Sequence, residues 1–307
     1  MSLNMARGAV LTATWMFAKV VHGRKKNCEH GFMKTDRLFV FLSSLACAFF
    51  LTSMAVAQWG GGPGTEELRL GVQASNLGKL DEAIEHFEKA AQMDGSDHNA
   101  QLFLGKAYAQ KYQPGLQTPD NTAMAERAIE HYQKVIDLGG ARVASLGAMK
   151  GIGALYVHLK RFDEAKDLYV KSADWSPMDL ESHYQIGAID WIQASEFRKT
   201  ERAKLKLKPN DSLAAKNEEV CLVVRAKNLP SIDEGISHLN QGLGLRPTNA
   251  EMMTYLSLLY LERADIECHD PAERAADLKA AEDWNAKALA AKQANTASPR
   301  QPVSTKQ

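Results

Sequence analysis

The sequence predicts an all-α fold, a solenoid of stacked helix pairs, and three observations carry that expectation. Beyond residue 64, apolar residues recur at spacings of three and four, with almost no two-residue alternation and few β-branched runs, which is the mark of amphipathic helices. An apolar, small, x, x, large pattern recurs as Leu70-Gly71 with Ala74, Leu104-Gly105 with Tyr108, Ile152-Gly153 with Tyr156, Ile186-Gly187 with Asp190, and Leu256-Ser257 with Tyr260. A small residue with a large one four later follows each: Ala83 and Phe87, Ala128 and Tyr132, Ala165 and Tyr169, Gly235 and Leu239, Ala280 and Trp284. The register is kept as well. Gly71 to Gly105 and Gly153 to Gly187 both span 34 residues, and Gly95, Gly140, Pro177 and Pro247 stand eight residues after the large residue, as helix breakers.

Packing explains the pattern. Small residues on both helices let the backbones approach, and the large side chain of one helix fills the space beside the small residue of the other. One pair cannot bury its apolar face alone, so pairs stack. The unit resembles the tetratricopeptide repeat, whose pattern is L-G-x-x-Y, then A-x-x-x-F, then P, in 34 residues. The phrases Gly78-Lys79-Leu80-Asp81-Glu82-Ala83 and Lys160-Arg161-Phe162-Asp163-Glu164-Ala165 are similar to that family's inter-helix turn. The resemblance covers residues 65–291 and implies about five helix pairs, curled so that the first helix of each lines a concave inner surface.

Departures from the unit set the remaining elements. The small residues of the two helices lie 12, 23, 12, 48 and 23 residues apart in the five copies, so copies two and five carry 11 extra residues and copy four carries 36. Eleven residues is about three helical turns, so the short insertions read as lengthened helices around a displaced turn. In copy two that turn runs from Gln113-Pro114-Gly115 to Pro119-Asp120; in copy five it is Cys268-His269-Asp270-Pro271, with Asp270 as cap, Pro271 at the first helical position and Glu273 completing a capping-box-like arrangement. The long insertion, 195–230, reads as two helical arms broken at Lys208-Pro209-Asn210-Asp211. The tail 292–307 is polar and proline-bearing and is expected to be disordered.

The N-terminal region has a different character. Residues 1–57 hold 7 basic and 2 acidic groups, against 30 and 35 in the rest. From Leu38 to Ala57 runs an uncharged stretch preceded by Lys34 and Arg37 and closed by Ala55-Val56-Ala57, the order of an export signal. The expectation is a start at Met33, cleavage after Ala57, and a Gly-rich linker over 58–64, leaving a mildly acidic exported protein, periplasmic or extracellular. The alternative is an uncleaved anchor over 38–57 that tethers the same domain to a membrane. Export would permit a disulfide between Cys221 and Cys268 if their Cα atoms come within range.

No phosphate loop, dinucleotide glycine motif, G-x-S-x-G elbow or H-E-x-x-H pair occurs. His86, His98, His131, His158, His183 and His238 are scattered singly, so no metal, cofactor or catalysis is implied. Nor does any basic and aromatic alternation favour nucleic acid. The expected function is a non-catalytic scaffold of the bacterial cell envelope that binds a protein or peptide in its concave groove. Counting along the first helices places Asn76, Lys106, Gln110, Lys150, His158, Tyr184, Trp191 and Glu262 on that groove. The Lys and Asn clamp with which some members hold a C-terminal carboxylate is replaced by Leu68, Val72, Leu102, Lys106, Lys150 and Ala154. Arg198, Lys199, Arg202, Lys204, Lys206 and Lys208 form either a solvated helix face or a docking strip for an acidic protein or anionic envelope surface.

Overall fold

Helix starts are written in short polar residues. Asp97, Thr118, Asp179, Asn217 and Asn249 each accept a hydrogen bond from a backbone N–H of the following first turn. Eleven helices result among the described residues: α1 (Thr65–Asn76), α2 (Leu80–Met93), α3 (His98–Lys111), α4 (Pro119–Asp137), α5 (Arg142–His158), α6 (Phe162–Trp175), α7 (Leu180–Lys204), α8 (Leu213–Lys216), α9 (Glu218–Leu245), α10 (Ala250–Asp265) and α11 (Pro271–Ala297). The structure, a computed structural model, describes residues 62, 64–208, 211 and 213–297. The start at Met33, the signal over 38–57 and most of the Gly-rich linker fall outside them, as does the tail from 298.

The helices pack as pairs in series: α1 with α2, α3 with α4, α5 with α6, α7 with α9, and α10 with α11. Each second helix also touches the next pair's first helix, and first helices meet one another, α1 on α3, α3 on α5, and α7 on α10. The expected interlock is visible at atomic distance. A Cβ on Gly71 would stand 2.4 Å from the Phe87 ring, one on Gly105 2.6 Å from Tyr132, one on Gly153 2.8 Å from Tyr169, and one on Gly187 2.4 Å from Leu239. In the closing pair, Ser257 takes the glycine's place and its hydroxyl donates to the Ala281 carbonyl at 2.8 Å. The buried small residue there is Ala281 rather than the expected Ala280, and Trp284 is only half-buried, capped by Lys287, whose Nζ lies 4.1 Å from its ring centre.

The short insertions are lengthened helices. α4 starts at Pro119, and the copy-five turn is capped by Asp270, which accepts from the backbone N–H groups of Ala272 and Glu273. Glu273 does not complete a capping box: the Asp270 N–H donates to Glu267 instead, and Glu273 faces Arg225. Over the long insertion stand the end of α7, the short α8 and the start of α9, and the last of these does not stop at Pro230. α9 runs unbroken from Glu218 through that proline to Leu245, so the arm and the repeat helix are one rod. Likewise α11 continues to Ala297, through the first six residues of the expected tail; alanine-rich sequence favours helix there, and Lys292 reaches the Thr254 hydroxyl at 3.4 Å.

Candidate partner-binding face

The first helices present one residue set to each other and another to the open side, and the groove candidates divide accordingly. Asn76, Lys106, Gln110 and His158 are exposed. Lys106 lies over the Phe103 ring at 5.4 Å, and Phe103 stacks on Phe87 at 5.3 Å. His158 tilts against Tyr112, with ring centres 6.2 Å apart. Lys150 is committed within the fold: its ammonium meets Asp179 and Glu181, each at 3.0 Å, bracing α5 against the start of α7. Burial alone would lower its pKa, but those hydrogen bonds outweigh it and raise the group above its usual value.

Tyr184 and Trp191, seven residues apart on α7, share a partner that sequence spacing did not reveal. Tyr255 of α10 packs edge-on against both, with ring centres 5.5 and 5.7 Å away. All three rings are half-buried, and burial beside the Tyr255 phenol pushes the Tyr184 phenol up. They form an aromatic wall between the fourth and fifth first helices. Such a wall offers contact area with little side-chain entropy left to lose.

The basic strip separates into two populations. Arg198 grips Glu262 at 2.8 Å and Asp265 at 2.8 Å; Arg202 reaches Asp265 at 3.3 Å and donates to the Lys208 carbonyl at 2.7 Å. These groups pin the α7 arm to α10 and are not an open docking strip. Glu262, expected on the groove, is 5% exposed and is held by Arg198. Lys204 pairs with Glu201 on its own helix at 2.6 Å, as a solvated face would. Lys199, Lys206 and Lys208 are exposed. A cleft of about 540 Å³ opens between the α7 arm, α10 and the start of α11, lined by Trp191, Lys199, Leu258, Leu261, Arg274 and Leu278 among others.

Two features at the α6, α7 and α9 junction escaped sequence reading. Asp190, at the position where most copies carry a large residue, is wholly buried; Lys166 donates to one of its oxygens at 2.6 Å and also pairs with Glu234 at 2.7 Å. Its second oxygen has no hydrogen-bond partner. Burial pushes the Asp190 carboxyl up to about 7 against the pull of Lys166, with Glu234 adding to the rise. His183 and His238, read as scattered, meet with their Nδ1 atoms 2.9 Å apart, and His183 Nε2 lies 3.0 Å from the Pro177 carbonyl. Neutral His183 therefore carries its proton on Nε2 and accepts from His238 Nδ1–H. Burial, then His183, lowers the His238 pKa. Cys221 of α9 and Cys268 of the α10–α11 loop are joined as a disulfide, their Cα atoms 6.0 Å apart. Among the described residues, no group of three or more His, Cys, Asp and Glu side chains could hold a metal ion, and no helix is long and apolar enough to cross a membrane.

Residues 68–97 match the tetratricopeptide repeat family model. No curated protein matches the chain by sequence. Among solved structures, an RS-1 MamA double mutant is 15% identical, with a TM-score of 0.51, over 78% of this chain and 99% of its own. MamA from Desulfovibrio magneticus RS-1, residue 41 to its end, is 15% identical with a TM-score of 0.49, over 76% of this chain and 97% of its own. YrrB, described as a TPR protein with an unusual peptide-binding site, is 16% identical with a TM-score of 0.47, over 75% and 92%. At such identities the likeness is one of fold, and the described residues form an all-helical, tetratricopeptide-like solenoid in which residues 68–97 match that family's model.

Proposed function

We propose that this protein is a non-catalytic interaction scaffold of the bacterial cell envelope, holding a segment of a partner protein along the face lined by its first helices. The observation that carries this reading is the row of first helices in mutual contact, ending in the half-open aromatic wall of Tyr184, Trp191 and Tyr255. A series of repeats offers side chains from several helices to one extended partner. Export is supported by the apolar stretch 38–57 and by the Cys221–Cys268 disulfide, which suits an oxidising compartment. Anchoring by an uncleaved 38–57 would tether the same scaffold to the membrane.

Site-specific photo-crosslinking in intact cells tests the reading. A photoreactive side chain at Lys106 or at Glu251, both exposed on first helices, is expected to capture a discrete envelope protein. The same group at Glu85 or Gln133, exposed on second helices, is expected to capture none. Equal capture from both sets, or from neither, overturns the groove. A mature N-terminus at Gln58 is the expected outcome of sequencing the purified protein; a cytoplasmic protein with residues 33–57 retained overturns export.

A further inference from the structure

We propose that the cleft between the α7 arm, α10 and the start of α11 docks an acidic partner segment bearing at least one large apolar side chain. The inference rests on the reading above, that the first-helix face binds a partner, and assigns that partner's chemistry at one end of the face. The cleft exists because of the insertion. Where a plain repeat would turn at the end of its first helix, α7 continues to Lys204, and Arg198 and Arg202 fasten the extension to Glu262 and Asp265 of α10. A wall is thereby added to an otherwise open surface.

Charge at the cleft is unbalanced in one direction. The two guanidinium groups and two carboxylates of the fastening cancel. What remains is Lys199, whose ammonium lies 5.8 Å over the Trp191 ring, and Arg274; neither has a carboxylate partner among the described residues. Residues 58–307 carry 30 basic and 35 acidic groups, so this cationic spot runs against the sign of its own domain. An acidic segment would be attracted here against the domain's net negative charge, which gives position as well as attraction. The floor is apolar. Leu261 and Leu278 remain 44% and 41% exposed beside Leu258 and Trp191, an arrangement that rewards an inserted Leu or Phe. The volume, about 540 Å³, falls in the usual range for pockets. A concave site with a greasy floor suits a peptide side chain better than the flat headgroup plane of a membrane.

Fluorescence anisotropy on the full chain tests this with a labelled dodecapeptide of Glu, Leu and Phe, against versions with every Glu replaced by Gln or by Lys. The acidic peptide is expected to bind at least about tenfold more tightly than either control, with an affinity that falls as salt is raised. Lys199→Glu with Arg274→Glu is expected to abolish that preference with only a small change in melting temperature, since neither side chain joins an internal ion pair and Lys199 gives up only its exposed contact with the Trp191 ring. Lys199→Arg is expected to retain it, and Lys89→Glu, exposed on the second helix α2, to leave it intact. Equal binding of the three peptides, or a preference that survives the double reversal, overturns the proposal. So does binding to phosphatidylglycerol vesicles that the double reversal abolishes while peptide binding persists. Capture at Lys106 or Glu251 by the partner, with no acidic preference at the cleft, would leave the groove standing and remove only this assignment.

Discussion

The first three helix pairs and the last two are built on the same plan but held together differently. From α1 to α6 the buried contacts rely on shape, glycine against aromatic ring at Gly71 and Phe87, Gly105 and Tyr132, Gly153 and Tyr169, while ion pairs between helices such as Lys111 with Asp81 and Arg161 with Glu126 lie at the surface. From α7 to α11 the helices run to 25, 28 and 27 residues, Leu239 replaces the ring, Ser257 replaces the glycine, and covalent and ionic links are added. The buried core divides correspondingly, into one cluster over α1 to α5 and another over α7 to α11, with a small one around Tyr169 between them. Long arms project beyond the repeat's own contacts. The difference teaches that an insertion can be kept in a solenoid only if it brings its own fastenings.

The disulfide is the strongest of these and offers the sharpest way to separate the two regions. Cys221 and Cys268 close a loop of 47 residues, for which chain-entropy arguments give about 4 kcal/mol. Reduction, or Cys221→Ala with Cys268→Ala, is expected to destabilise the α7 to α11 region by an amount of that order. Native-state hydrogen exchange should show faster exchange in α9 to α11 and little change in α1 to α4. Uniform acceleration along the chain would mean that the two regions unfold as one and that the comparison fails.

Next in size is the ionic fastening. Arg198→Ala leaves Glu262, 5% exposed, without its guanidinium, and breaking a buried pair from one side costs about 3 kcal/mol. Replacing both, Arg198→Met with Glu262→Leu, is expected to cost less than the single change, because no buried charge is stranded. Denaturant melts of the wild type and the two variants check this; a double variant no more stable than Arg198→Ala would show that the pair contributes shape, not charge compensation.

In the regular region the corresponding change is Gly71→Ala. The new methyl carbon would stand 2.4 Å from the Phe87 ring, so the ring or the helix must move, at about 2 kcal/mol. Ser257→Ala in the closing pair removes one hydrogen bond to the Ala281 carbonyl and is expected to cost only about 1 kcal/mol. Equal losses at the two sites would deny that shape dominates one region more than the other.

How legible each region was in the sequence follows from the range of its interactions. Glycine and ring within a pair lie 16 residues apart at Gly71 and Phe87, inside one repeat, so a single unit's pattern reveals them. The matching inter-helix turns are also local: Gly78 and Lys160 occupy the same place in their turns, and both take a left-handed conformation, at φ of 75° and 59°. Arg198 finds Glu262 across 64 residues and a different repeat, so sequence shows a strip of six basic residues as uniformly accessible, solvated or docking, where the structure places two of them on α10. Tyr255 was passed over for the same reason. It is unremarkable on its own helix, and its meaning comes from Tyr184 and Trp191. The histidine pair, 55 residues apart, shares that origin.

A pH-dependent effect probes the seam between the two regions, where α6, α7 and α9 enclose Asp190. Its carboxyl is raised, so the folded protein keeps a proton there that the unfolded chain releases near its ordinary value of 3.8. The resulting stabilisation is complete below that value and is lost as pH rises through about 7. Lys166 from α6 meets it and also pairs with Glu234 from α9, and both of these act in turn on His238 of α9, which meets His183. His238 acts in the opposite sense. Its pKa is lowered, so its contribution is present above 6.5 and is lost as pH falls through and below that value. The two slopes oppose each other in acid, and a wild-type melt would show a shallow profile for reasons it cannot separate. Asp190→Asn isolates one of them. The amide fills the same space and does not ionise, so subtracting its stability profile from the wild type's leaves the Asp190 contribution: a decline with rising pH, centred between about 4 and 7. A difference that instead grows as pH rises would mean that Lys166 wins over burial, and that the seam is held by an ion pair, as the α7 arm is.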